Sequence, residues 1–194
     1  YKMNVSNCPR FFILTGEPGV GKTTLTKKLT SFMTGKGVRT TGFYTEEVRK
    51  NNVREGFDVV SLQNGARGRL ARDQVLLNGP VKFKVGKYGV LIEEFEYVAL
   101  PTLKKPEGSQ PHLLVIDEIG KMEFFSETFK NKIRDIFNST SYIILATIPI
   151  RKIDPLIESI RNNKQAKVWT ITKENRNSIQ EDILTQMKKK FDII

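Results

Sequence analysis

The chain has 194 residues, 39% hydrophobic and 27% charged, enough apolar material to bury the core of a soluble globular protein. Its 32 basic and 21 acidic side chains leave a net charge of +11, which predicts an anionic partner: a nucleotide, a nucleic acid or an acidic surface. One cysteine, Cys8, and one histidine, His112, exclude an internal disulfide and a Cys/His zinc site, and no apolar run reaches the roughly 18 residues of a membrane span.

Residues 1–10 lack the apolar centre of a signal peptide and read as an N-terminal extension, with Cys8 a surface thiol. "FFIL" (11–14) reads as a buried strand. From Thr23 to Met33, Leu25, Leu29, Phe32 and Met33 recur at helical spacing, and Gly35 and Gly37 end the pattern. "TTGFYTEEVR" (40–49) and "EGFDVVSL" (55–62) flank an Asn-Asn turn and read as a hairpin. "VKFKV" (81–85) and "KYGVLI" (87–92) read as further short strands. Residues 42–98 therefore read as a β-rich insertion within a domain spanning 11–194.

"FEYVALPTLKK" (95–105) starts a helix that Pro101 is expected to disturb, and residues 104–111 form a polar linker leading to His112, a loop residue. "HLLVID" (112–117) is an apolar strand. Met122, Phe125, Phe129, Ile133, Ile136 and Phe137 mark one face of a helix over 122–137. "YIILATI" (142–148) reads as a strand stopped at Pro149, 155–162 as a short helix and "AKVWTIT" (166–172) as a strand. A last helix starts near Ser178, whose spacing to Glu181 suits a capping box. Strands alternating with helices predict an α/β fold with a mainly parallel sheet.

Residues 16–23, "GEPGVGKT", match G-x-x-x-x-G-K-[ST], the Walker A or P-loop pattern, between a predicted strand and a predicted helix. The residue types follow from the ligand. Gly16, Gly19 and Gly21 let a triphosphate approach the backbone, where amides at a helix N-terminus converge on its oxygens. Gly16, Glu17, Pro18, Gly19, Val20, Gly21, Lys22, Thr23 and Thr24 are the expected nucleotide contacts, with the Glu17 side chain turned to solvent. Lys22 is expected to neutralise the β- and γ-phosphates, and the Thr23 hydroxyl to ligate Mg²⁺.

"LLVIDEIGKME" (113–123) is an apolar strand ending in two acids, the Walker B pattern. Asp117 is expected to hold the Mg²⁺ shell. Glu118, one residue on, can reach beyond the γ-phosphate and polarise a water for in-line attack, or else cap the next segment or pair with Lys121. Thr147, at the end of "YIILAT", either senses the γ-phosphate or satisfies a backbone group. A kinase for nucleotides or nucleosides, and a nucleic-acid-binding NTPase module, remain alternatives. No RNA-binding motif with interleaved aromatics stands out, so nucleoside triphosphates are favoured over nucleic acid as partner, with no membrane partner.

These motifs, with "GFYTEEVR" (42–49), "GFDVVSL" (56–62), "VGKYGV" (85–90), "FEYVALP" (95–101), "VIDEIGKMEFFS" (115–126), "ATIP" (146–149) and "TKENRN" (172–177), resemble the THEP1-type nucleoside-triphosphatase family from Phe11 to about Met187. The resemblance implies a P-loop three-layer α/β sandwich, RecA-like with an additional strand and a catalytic glutamate, and a β-hairpin-rich insertion. It implies slow Mg²⁺-dependent hydrolysis of ATP, GTP and other triphosphates. The single cysteine accords with a reducing compartment and so with an intracellular, cytoplasmic protein. It extends the nucleotide-binding residues to the stretch Leu113 to Gly120. Glu46, Glu47 and Arg49, and Lys173, Asn175 and Arg176, look functional by resemblance, with Asn175 or Arg176 touching base or phosphate. Arg49, Arg151 and Arg176 are candidate arginine fingers, which a partner protein could also supply.

Overall fold

A computed structural model describes residues 8–104, 107–108, 110–152 and 154–193. Most of the expected N-terminal extension, residues 1–7, lies outside the described residues, as do residues 105, 106 and 109 of the polar linker.

The chain runs β1 (Phe11–Gly16), α1 (Lys22–Gly35), β2 (Arg39–Lys50), β3 (Val53–Ser61), β4 (Arg67–Asp73), β5 (Phe83–Val85), β6 (Tyr88–Val90) and α2 (Ile92–Thr102). It continues through β7 (His112–Asp117), α3 (Glu127–Asn138), β8 (Ile143–Pro149), α4 (Pro155–Arg161), β9 (Ala166–Thr170) and α5 (Ile179–Lys190). One nine-stranded sheet has the order β5-β6-β4-β3-β2-β7-β8-β1-β9. The strands from β2 to β9 in that order are mutually parallel, and β8 lies between β1 and β7 as expected of the additional-strand arrangement. The hairpin strands β3, β4, β6 and β5 extend the same sheet with antiparallel pairs.

Strand side chains alternate between faces, and here each face has its own core. Phe12 and Leu14 of β1, Leu113 and Val115 of β7 and Leu145 of β8 pack with Leu25, Leu29 and Met33 of α1 and Ile183, Leu184 and Met187 of α5. The intervening residues Phe11, Ile13, Leu114, Ile116, Ile144 and Ala146 pack with helices α2, α3 and α4. Phe43 anchors that second core, with ring centroids 5.8 Å from Phe95 and 5.9 Å from Phe129. Two cores on one sheet make the three layers.

The two halves of the sheet meet where β2 pairs with β7. Gly42 sits there with φ +116°, and a Cβ on it would lie 1.8 Å from the Val115 carbonyl oxygen, so only glycine fits.

Four local expectations are corrected. α2 begins at Ile92 and continues through Pro101. Proline removes only the bond to the carbonyl of residue 97, and Tyr97 is 84% exposed, so water can satisfy that group. The helix expected over 122–137 is broken: a 3-10 turn at Glu123–Phe125 precedes α3, and Ser126 caps α3 by accepting from the Phe129 amide at 2.9 Å. Ser178 makes no cap bond to α5 and instead donates to the Asn175 carbonyl, so the capping box does not form. His112 is buried at the start of β7 and hydrogen-bonds to Thr41 at 2.7 Å, so it is not a loop residue.

Candidate active site

The phosphate loop links the end of β1 to the start of α1, so its amides face the N-terminus of a 14-residue helix. Gly16 closes against the strand end on the other side. A Cβ there would sit 2.4 Å from the Ile171 carbonyl oxygen. Glu17, Pro18 and Gly19 are exposed at the mouth, as is Thr24, while the Val20 side chain is buried in the core beneath the loop. Lys22 is buried, and its ammonium donates to the carbonyls of Gly16 at 3.0 Å and Glu17 at 3.3 Å.

Parallel strand ends bring the acids to this loop. Asp117 ends β7, beside β8, and accepts through Oδ1 from the Thr147 hydroxyl. Its Oδ2 is buried with no hydrogen-bond partner among the described residues. Burial pushes the Asp117 carboxyl above its ordinary value, opposed by the Thr147 and Thr23 hydroxyls and by Lys22. Glu118 follows through a cis peptide and is half-buried. Burial raises its carboxyl too, opposed by Lys22 and reinforced by the Asp117 charge. Among the described residues it forms no ion pair with Lys121.

Glu123, which sequence patterning treats only as a helix position, belongs to the same acid group. A Cβ on Gly120 would lie 2.9 Å from both Glu118 Oε1 and Glu123 Oε2, so Gly120 is the gap between two carboxyls. Glu123 is 5% exposed, and burial, then Glu118, push it up to about 8. The signal available in the sequence is an acid inside the apolar run "MEFF".

A cleft lies in front of these groups and has two lobes that share Pro18, Lys22, Thr45, Phe57 and Glu118. One lobe, of about 590 Å³, adds Gly19, Gly21, Thr23 and Thr24 on one wall and Glu46, Glu47, Arg49 and Arg54 on the other. The second, of about 530 Å³, runs past Glu118 along Lys121–Glu123 and Pro149–Arg151. The hairpin strands β2 and β3 thus supply a wall that motif spacing does not disclose. Arg54 stacks on Phe57 at 5.4 Å, and its Nε is buried with no hydrogen-bond partner among the described residues. Arg49 and Arg54 both pair with Glu47, while Glu46 pairs with Lys27 and Arg67.

The remaining candidates divide. Arg176 lies on the phosphate loop, its chain 3.8 Å from the Cβ position of Gly21 and its guanidinium 3.5 Å from the Val20 carbonyl. Asn175 is spent on its own turn: Oδ1 accepts from the Thr172 amide and Nδ2 donates to the Thr170 carbonyl. Arg151 lines the second lobe only. No helix among the described residues is long and apolar enough to cross a membrane.

A family model described as NTPase matches residues 11–184. The chain is 47% identical to the human protein named cancer-related nucleoside-triphosphatase, over 91% of this chain and 95% of that protein. It is 38% identical to nucleoside-triphosphatase THEP1 of Aquifex aeolicus, over 91% and 98% respectively. The crystal structure of THEP1 from Aquifex aeolicus superposes with a TM-score of 0.75, covering 90% of this chain and 97% of that one. The solution structure of a human cancer-related nucleoside triphosphatase gives 0.78, covering 92% and 97%. Motifs, fold and relatives agree, and the chain belongs to the NTPase family that includes the THEP1 nucleoside-triphosphatases.

Proposed function

We propose that the chain is a Mg²⁺-dependent nucleoside-triphosphatase that cleaves the γ-phosphate from ATP, GTP and other nucleoside triphosphates, with water as acceptor. The observation that carries this reading is the acid pair at the end of β7. Asp117 holds a buried oxygen with no hydrogen-bond partner among the described residues, and Glu118 lines the cleft beside Lys22.

The residues present suit Mg²⁺. A hard cation that shares its shell with phosphates and water needs few protein oxygens, so the lack of any cluster of three metal-binding side chains among the described residues is no obstacle. The Thr23 hydroxyl and Asp117 Oδ2 would hold the ion, with Thr147 fixing the other carboxylate oxygen. When bound, Mg²⁺ supplies charge neutralisation across the β- and γ-phosphates.

The chain's own groups do the rest. Loop amides at the start of α1 bind the phosphates. Lys22 exchanges two carbonyl partners for charged phosphate oxygens, which form stronger, charge-assisted bonds. Glu118 orients a water and takes its proton as the water oxygen bonds to the γ-phosphorus and the bridging oxygen to the β-phosphate departs. A carboxyl raised by burial is a better proton acceptor near neutral pH. Arg49 and Arg54, the arginines that line the phosphate lobe, are both tied to Glu47, and Arg176 is turned to the Val20 carbonyl, so turnover is expected to be slow unless an arginine is released or supplied.

A phosphate-release panel over the common triphosphates tests this. Free phosphate is expected from each, stopped by EDTA, restored by Mg²⁺, and unchanged by RNA or added alcohol acceptors. Phosphate appearing on an acceptor instead of in solution would overturn it.

A further inference from the structure

The lobe beyond Glu118 is far larger than hydrolysis needs. A water takes about 30 Å³ of liquid volume, whereas this lobe holds about 530 Å³, within the range of small-molecule sites. Its apolar wall is gathered from separate segments, Phe57 of β3, Leu70 of β4, Val85 of β5, Met122 after β7 and Ile150 after β8, and the phosphate loop with Lys22 closes the side shared with the other lobe. Phe57 is braced edge-on by Tyr88 at 5.4 Å, which makes it a fixed face for stacking. Ile150 is 37% exposed on the rim. Lys121 and Arg151 also line the lobe, both exposed and, among the described residues, neither in an ion pair. At the inner end stand the carboxyls of Glu118 and Glu123.

We propose that this lobe is a second ligand site, taking a flat apolar ring that carries an anionic group, and that its occupant controls the hydrolysis next door. The ring lies between Phe57 and the Met122 and Ile150 side chains. The anion faces outward to Lys121 and Arg151, because the inner end presents the Glu118 carboxylate and the Lys22 ammonium there is held by the Gly16 and Glu17 carbonyls. The orientation rests on the phosphate-site reading given above: Thr24 and Gly21 mark the other lobe, and Glu118 stands at the boundary. A ring at this place fills the space through which the attacking water approaches Glu118. Occupancy therefore slows turnover without displacing the nucleotide.

The aromatic sulfonate 8-anilinonaphthalene-1-sulfonate is a suitable probe, since its fluorescence rises in apolar surroundings. Titrated into the full chain, it is expected to bind saturably at one site per chain, and to remain bound when Mg²⁺ and a non-hydrolysable triphosphate are added. Phosphate release is expected to fall about fivefold in kcat at saturating probe, with KM unchanged. Ile150→Asp and Lys121→Glu are each expected to weaken probe binding about tenfold while leaving hydrolysis without probe at the wild-type rate. Displacement of the probe by the triphosphate analogue, or equal binding to wild type and both variants, would overturn the proposal. Thr23→Ala, at a residue that lines the phosphate lobe and not the second one, separates the two readings when nucleotide affinity is measured with Mg²⁺. If it leaves nucleotide affinity intact, the phosphate site has been misassigned, whereas the second-site proposal fails only on the probe results.

Discussion

β1 and β7 are buried at all six of their positions, and the acids and the phosphate loop grow from their ends. β2, β3 and β4 are built differently. Past its buried centre β2 runs half-exposed, and the three strands are tied together by carboxylate–guanidinium pairs: Glu46 with Arg67, Glu47 with Arg54, and Asp58 with Arg67 and Arg72. The parallel half thus places the proposed catalytic groups on a dry, apolar frame. The antiparallel half places a charged wall opposite them. Buried apolar packing fixes geometry within narrow limits, whereas half-exposed ion pairs contribute little each and respond to salt. Rigidity is concentrated where the acids sit, and the adjustable wall is the one that faces them.

Substitution can break this comparison at its seam. Gly42→Ala forces a Cβ into the Val115 carbonyl where β2 joins β7. Destabilisation of more than about 4 kcal/mol is expected, with folding itself at risk, as read by denaturant unfolding. Tolerance of alanine would mean that the two halves join loosely.

Next in size is Asp58→Ala. Asp58 and Arg72 are the least exposed ion pair of the antiparallel half, with side chains 9% and 15% exposed. Removing the acid leaves a largely buried guanidinium unpaired, at a cost of about 3 kcal/mol. An effect below that of the surface pairs would show that the charged wall is not what holds these strands.

Glu123 probes the apolar half through pH. Its carboxyl is raised from its ordinary 4.5 to about 8 in the fold. The folded chain keeps a proton that the unfolded chain has lost, so stability falls as pH rises from about 4.5 and levels off above about 8. Glu123→Gln should flatten that trend and stabilise the protein by about 1–2 kcal/mol at pH 8. Thermal melts from pH 5 to 8 decide it, and an unchanged slope would show that Glu123 ionises freely. The smallest effect belongs to Arg69→Ala. The Arg69–Glu94 pair is exposed on both sides, and a loss under about 1 kcal/mol is expected.

The same contrast governs what could be read before folding. Gly16 to Thr23 are legible because amides, an ammonium and a hydroxyl must meet a phosphate at fixed spacing along one continuous turn. Asp117 and Glu118 are legible as acids ending an apolar strand. Thr45, Phe57 and Arg54 are not, because strand pairing brings them to the cleft from a segment whose alternation only signals a hairpin. Glu123 was hidden by helical periodicity, which Met122, Phe125 and Phe129 satisfy even though Ser126 caps a separate helix between them. Pro101 misled because a proline near the end of a helix, below an exposed turn, forfeits little.

The assignment of Glu118 as the water-activating carboxylate is tested most directly by Glu118→Gln, which keeps the size of the side chain and removes its basicity. Nucleotide affinity and single-turnover phosphate release should be measured on one preparation. The account predicts affinity within about twofold of wild type and release slowed by at least about a thousandfold. Wild-type release from a variant that binds nucleotide normally would contradict it.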